Sequence, residues 1–321
     1  MGAGSPARLL VSGDGGERRV GGADAATPSA GGDMPDARGG RPSAEAELRD
    51  PVAVEAPGAQ VELLEVAVAA ARMAGGLLLE RARAGREREV RSKSTPTDLV
   101  SEADLAAERA IKALLAERRP DDGFVGEEGG SARGTSGLDW VVDPLDGTVN
   151  FLFGIPQWCV SVAVRDGHGT LAGAVYDPNR DELFTATREG GARMSGPEGV
   201  VELQGSEREE LATAMVATGL AYDAKVRAAQ AKVLARAIPQ VRDIRRFGSA
   251  ALDLAWTAVG RFDAYFERTV KPWDIAAGVL ICERAGLRVL DLPEHEDLPY
   301  GILAAPEAIA ERLLELVGGP G

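Results

Sequence analysis

The sequence predicts a mixed fold, α+β over its first folded half and α/β over its second. Three observations predict it. Between Val61 and Pro120 the apolar residues recur at helical spacing. From 123 to 194 short β-rich segments alternate with Gly, Pro and Asp turns. From 211 onward strand and helix patterns take turns. The 321 residues, 45% of them hydrophobic and only 5% aromatic, are enough for a well-buried aliphatic core.

Each element has its own reason. Residues 1 to about 57 are rich in Gly, Ala, Pro, Asp and Arg without apolar periodicity, which predicts a disordered tail. VELLEVAVAAARMAGGLLLERARAG runs as a helix from Val61 and ends at Gly85. SEADLAAERAIKALLAERRP is a second helix: Ser101 and Asp104 have capping-box spacing, and Pro120 follows the end. GFVGEE, LDWVVD, WCVSVAVRD and TLAGAVYD are strands, the last two joined by the turn GHG. DELFTATREGGARM adds one more strand and its turn.

After a polar loop, LATAMVATG is a strand, AKVRAAQAKVLARAIP a helix, DIRRFG a strand, SAALDLAWTAVG a helix and DAYFE a strand. PWDIAAGVLICERAG is a helix with Pro272 near its start, where a missing N–H has no partner to lose. LRVLD, GILAAP and the helix EAIAERLLELV complete the chain, and no internal repeat is present. The expected organisation is a tail (1–57), an N-terminal α+β half (58–195) and a C-terminal α/β half (196–321).

Composition removes several function classes. A net charge of −14 argues against a nucleic-acid or anionic-membrane face. No apolar run reaches 18 residues, and near the N-terminus LLV is followed at once by SGDGGERR, so neither a spanning helix nor a secretory signal is expected and the cytoplasm is the default. Cys159 and Cys282 lie in apolar runs and predict two buried reduced thiols. His168 and His295 occupy turn contexts, so a histidine-activated nucleophile is not expected. The chemistry falls to carboxylates, hydroxyls and metal.

The stretch DWVVDPLDGTVNF (139–151) carries that chemistry. Trp140-Val141-Val142 is a buried strand that Pro144 is expected to stop, since proline cannot donate to the ladder. Asp143 then ends the strand and Asp146 lies past a turn, so both can converge on one point. Gly147-Thr148 can open a short helix whose free N–H groups suit an anion. Two unpaired carboxylates beside a buried strand are costly, which calls for a cation. Glu127-Glu128, flanked by glycines, and Asp274, at the start of a helix, supply further acids. Taken singly, each would most often be a cap or a surface charge.

DPLDGTVNF together with the later WDIAAGVLI resembles the two signatures of the inositol monophosphatase-like family of magnesium-dependent phosphatases. KSTPTDLVSEAD and GEE stand in family order before them, and the resemblance covers about residues 60–320. It implies a layered α-β-α-β-α sandwich, a homodimer, sensitivity to Li⁺ and two Mg²⁺ ions, with a third and weaker one near Glu127. It implies that Glu127, Asp143 and the Leu145 carbonyl bind the first ion, and that Asp143, Asp146 and Asp274 bind the second. Thr148 and Asp104 would pair and, with Glu127, orient and deprotonate the attacking water. The Gly147 and Thr148 N–H groups would hold the phosphate, Ala250 and Glu267 would contact the polyol, Glu128 would stand behind the ligands, and Lys93 would lie on a loop over the site. ATGLAYD (217–223) looks like the bacterial versions, and ERAGL departs from the usual EAGG at Arg284 and Leu287.

Charge arithmetic supports a metal requirement. Glu127, Asp143, Asp146, Asp274 and Asp104 sum to −5, and a phosphomonoester adds about −2 more. At ~4 Å each like-charge pair costs roughly 4 kcal/mol at an effective dielectric near 20. Two Mg²⁺ contribute +4 and can clamp both the nucleophile and the leaving oxygen. The expected substrate is myo-inositol 1-phosphate or a related polyol phosphate. The alternatives are histidinol phosphate, fructose 1,6-bisphosphate or adenosine 3′,5′-bisphosphate at the same site, and, from a different class, a non-catalytic regulatory protein on the same fold.

Overall fold

The computed structural model describes residues 57–84, 90–92 and 99–319. The expected tail, apart from Pro57, and Lys93 lie outside the described residues.

Two helices, α1 (Pro57–Ala84) and α2 (Glu102–Arg118), form the first layer. The first starts four residues ahead of the expected Val61, at a proline that suits a helix start. Between them β1 (Val90–Ser92) and β2 (Leu99–Ser101) pair antiparallel.

Eight strands make the second layer: β3 (Gly123–Gly126), β4 (Ser131–Ala132), β5 (Asp139–Asp146), β6 (Cys159–Asp166), β7 (Gly169–Asp177), β8 (Glu182–Thr187), β9 (Ala192–Gly196) and β10 (Gly199–Glu202), in the order β10-β9-β8-β7-β6-β5-β3-β4. DELFTATREGGARM therefore holds two strands, β8 and β9, where one was expected. The glycine pair 190–191 turns the chain back on itself. Exposed β10 carries no buried face and so no alternation to read.

The central strands are apolar without alternation because both faces are covered. Trp140 and Val142 face the core under α1 and α2, where Ala67, Ala70, Ala71 and Ala74 let the helix lie close. Val141, Ala163 and Val175 face the third layer, the helices α5 (Ala250–Ala258) and α6 (Pro272–Arg284).

The fourth layer is a mixed sheet of β11 (Met215–Thr218), β12 (Asp243–Arg245), β13 (Ala264–Arg268), β14 (Arg288–Leu292) and β15 (Gly301–Ala305), ordered β12-β11-β13-β15-β14. α4 (Ala224–Ala237) and α7 (Glu307–Val317) close its far side through Val233, Ile309, Leu313 and Val317. The result is an α-β-α-β-α sandwich. Cys159 and Cys282 are free and buried. No helix among the described residues is long and apolar enough to cross a membrane.

Pro144 does not stop its strand, contrary to expectation: β5 continues to Asp146. The reason is a β-bulge. Asp143 faces Ser161 and Asp146 faces Cys159, three steps on β5 against two on β6. A proline fits there because the bulge has already broken the ladder.

Candidate active site

The site lies where β3, β5 and the two central helices meet. β3 and β5 run parallel, with Gly126 opposite Val142, so the next residues, Glu127 and Asp143, sit side by side at the same strand ends. Their side chains come within hydrogen-bond reach of each other. The bulge brings Asp146 to the same side. Gly147 then turns the chain with φ 98° into the short α3 (Thr148–Leu152); a Cβ there would sit 2.9 Å from the Gln157 carbonyl.

Asp274 arrives from the third layer, in the first turn of α6, where its Oδ2 accepts the Lys271 N–H at 2.7 Å. Ser161, opposite Asp143, donates to the Trp273 carbonyl at 3.3 Å and ties this helix start to the first sheet. Glu127, Asp143, Leu145, Asp146, Gly147, Thr148, Ala250, Glu267 and Asp274, all singled out by sequence, line one cavity of about 390 Å³. Glu128 is not on its wall; its backbone N–H donates to the Glu108 carboxylate at 2.8 Å.

Electrostatics set the site apart. Asp143, 2% exposed, is held well above the usual carboxylate range by burial and then by Glu127, Asp146 and Asp274. Burial and Asp146 likewise raise Asp274. Asp146 is pushed up by burial, to only about 6, because Ser249 and the helix N–H groups favour its charged form. Its Oδ2 accepts from Ser249 Oγ at 2.8 Å and from the Ala251 N–H at 2.7 Å, so the carboxylate serves as a cap for α5.

Four mutually repelling acids around one cavity, Asp143 and Asp146 buried and Glu127 and Asp274 half-buried, suit a hard, oxygen-liganded cation. Among the described residues no three of the His, Cys, Asp or Glu side chains are already drawn together as a closed ligand set. The fit to an ion therefore rests on mutual repulsion and the common cavity.

Behind the acids, the Thr148 hydroxyl lies 3.1 Å from Asp104 Oδ1 and 3.1 Å from the Leu145 carbonyl oxygen. Asp104 is fully buried in α2. A surface cap would stay wet; this carboxylate instead reaches 44 residues along the chain to a hydroxyl on the cavity wall.

Across the cavity, Glu267 is raised to about 7 by burial, while a hydrogen bond from Tyr265 Oη at 2.9 Å works in the opposite direction. Gly219 makes room for it, since a methyl there would collide with the carboxylate. Sequence reasoning missed Ser249, Ala251, Gly219, Tyr265 and Asn150, whose side-chain amide donates to the Phe247 carbonyl at 2.7 Å. A helix-capping serine at the start of SAALD was a visible signal for one of them. Tyr265, two residues before Glu267 on one strand, shares its face and was a second; nothing local pointed to Ala251, Gly219 or Asn150.

Comparison with known proteins agrees with this geometry. The inositol monophosphatase family model matches residues 59–318. Inositol-1-monophosphatase SuhB of Mycobacterium tuberculosis is 43% identical over 231 residues, covering 70% of this chain and 80% of that protein. The Nus factor SuhB of Escherichia coli is 41% identical over 231 residues, covering 71% and 85%. The crystal structure of the extragenic suppressor protein SuhB from Bartonella henselae superposes with a TM-score of 0.72 at 36% identity, over 80% of this chain and 98% of that one. Strand order, acidic cavity and sequence thus lead to one place: the chain belongs to the inositol monophosphatase family.

Proposed function

We propose that the protein is a Mg²⁺-dependent phosphomonoesterase that hydrolyses myo-inositol 1-phosphate and related polyol phosphates to the free polyol and phosphate. One observation carries this reading: a single cavity receives Glu127, Asp143, Asp146 and Asp274 beside a hydroxyl, Thr148, that is backed by a fully buried carboxylate, Asp104.

In this reading Glu127, Asp143 and the Leu145 carbonyl hold one Mg²⁺, Asp143, Asp146 and Asp274 hold a second, and Glu127 stands near a third, weaker site. Bound there, Mg²⁺ supplies the positive charge and Lewis acidity that a dianionic ester needs inside an acidic cavity. The chain's own residues do the rest. The Leu145 oxygen would serve the ion, which would leave the single Thr148 proton to Asp104. The Thr148–Asp104 pair and Glu127 then orient the attacking water and accept its proton. The Gly147 and Thr148 N–H groups hold the phosphate. Ala250 and Glu267 meet the polyol, and Glu128 supports the strand end behind Glu127.

The test is phosphate release from myo-inositol 1-phosphate, histidinol phosphate, fructose 1,6-bisphosphate and adenosine 3′,5′-bisphosphate, with Mg²⁺, with EDTA, and with Asp274→Asn. Preference for inositol 1-phosphate, abolished by both EDTA and the variant, is expected. A folded, Mg²⁺-loaded protein that releases phosphate from none of the four sinks the reading; preference for another ester keeps the chemistry and moves the substrate.

The name Nus factor carried by the Escherichia coli relative favours a second role beside catalysis. That role is separable: Asp274→Asn removes turnover and leaves the outer surface unchanged. We further read the working form as a cytoplasmic homodimer, sensitive to Li⁺, with neither nucleic acid nor membrane as a direct partner, in keeping with the net charge of −14. Sedimentation measures the first point, and salt-dependent binding to RNA would sink the last.

A further inference from the structure

Among the described residues, only two basic side chains line the acidic cavity, Arg246 and Lys271. Lys271 belongs to the ligand end, since its backbone N–H donates to Asp274. Arg246 belongs to the opposite end. It is exposed, follows β12 directly, and acts through space on Glu267, lowering its pKa against the effect of burial. No step of the reaction described above uses it.

Its placement is fixed from the ligand side. After Arg246 the chain turns at Gly248, φ 86°, where a Cβ would collide with the guanidinium Nη1, so the side chain folds back over its own turn. Asn150, two residues beyond Thr148, donates to the Phe247 carbonyl at 2.7 Å. Ser249 and Ala251 donate to Asp146. Residues 246–251 therefore grip a candidate metal ligand at one end and carry Arg246 at the other. An ester anchored by its phosphate presents its alcohol half to Arg246 at a set distance.

Arg246 offers only donors, and the ionised Glu267 only acceptors. Two adjacent hydroxyls satisfy both, one accepting from the guanidinium while its neighbour donates to the carboxylate. A second phosphate gains Arg246 but meets Glu267 and Asp223 on the same wall. We propose that Arg246 is a specificity-determining residue that, opposite Glu267, reads adjacent hydroxyls on the alcohol half of the ester, and that the pair selects a neutral polyol over a bisphosphate. The inference rests on the phosphomonoesterase reading above and adds a residue to it.

Initial rates on myo-inositol 1-phosphate and fructose 1,6-bisphosphate, with inorganic phosphate as competitive inhibitor, test it on the Mg²⁺-loaded protein. Arg246→Ala is expected to raise KM for inositol 1-phosphate roughly tenfold or more, the loss of a charged hydrogen bond. The inhibition constant of inorganic phosphate and kcat should stay within about twofold. Arg246→Lys, which keeps the charge but not the fork, should recover part of the loss. Arg245→Ala, the neighbour paired with Asp243 outside the cavity, should change neither constant. Glu267→Gln should narrow the preference over the bisphosphate, and adding Arg246→Ala should remove that gain.

An Arg246→Ala variant that shifts inorganic phosphate as much as the ester, or shifts neither, overturns the proposal. If the wild type releases phosphate from none of the four esters named above, the phosphomonoesterase reading fails by itself. Calorimetric affinities of the same unreactive, Mg²⁺-loaded proteins for the two esters then decide Arg246: a weaker inositol 1-phosphate in Arg246→Ala supports it, and equal affinities or none overturn it.

Discussion

The two ends of the cavity are built by different means. At the ligand end Glu127, Asp143 and Asp146 come from neighbouring strands of one sheet, and the ladder sets their spacing before any side chain packs. At the other end Glu267 comes from the second sheet, Ala250 from the start of α5 and Arg246 from the turn between β12 and α5, held to the first end by side-chain hydrogen bonds through Asn150, Ser249 and Asp146. Backbone ladders give a geometry that is rigid and hard to retune. Side-chain links can be changed one at a time, which suits the end that reads the variable half of a substrate.

Breaking the ligand end should cost most. Asp143→Asn removes a carboxylate shared by both proposed ions and should lower kcat/KM on the order of 10³-fold or more, as expected for loss of metal charge stabilisation worth several kcal/mol. A variant that keeps a tenth of wild-type rate at saturating Mg²⁺ breaks the assignment. Asp104→Asn disturbs only the partner of Thr148, so kcat should fall about 10²-fold with KM nearly unchanged. If Asp104 were a helix cap alone, melting temperature would drop and kcat would not.

The links between the ends should show smaller effects. Ser249→Ala takes one donor from Asp146 Oδ2 and should weaken apparent Mg²⁺ affinity about 10-fold, read from the Mg²⁺ dependence of rate. Gly219→Ala pushes on Glu267 from behind and should raise KM a few-fold with kcat kept. An unchanged KM would show that the carboxylate swings aside freely.

The smallest expected effect is on stability against pH. Burial raises Asp146 to about 6 and Glu267 to about 7, whereas the unfolded chain ionises both at ordinary carboxylate values. Between about pH 5 and pH 7 the folded protein then holds more protons, so without Mg²⁺ its stability falls as pH rises through that window. Thermal melts in EDTA should show a decline of a few degrees that Glu267→Gln reduces and Mg²⁺ reverses at the upper end. A melting temperature that rises over this range contradicts the assignment.

The same division explains what was legible in the sequence. DWVVDPLDG could be read because the signal is local: apolar strand, acids at its end, glycine behind them. The parallel register that seats Glu127 beside Asp143 needs only the adjacent GFVGEE strand. What stayed hidden depends on pairs far apart in the chain, such as Asn150 with Phe247, Ser249 with Asp146, and Gly219 with Glu267. Gly219 in particular looks like any turn glycine until the carboxylate it accommodates is known. The misreading of Pro144 had another source. A proline rule that holds for a regular ladder does not apply where the ladder has already slipped.

That slip matters beyond the site. Along a flat strand, side chains three positions apart point to opposite faces, so Asp143 and Asp146 could not share a cavity. The extra residue on β5 changes odd to even, and everything downstream on the strand inherits the change. Surface turns can gain or lose a residue at little cost, but a single deletion between Asp143 and Asp146 would remove the bulge: both acids would keep one face, now on a straight ladder without the kink that admits Pro144 and sets their separation. Length, more than residue identity, is what this stretch cannot give up.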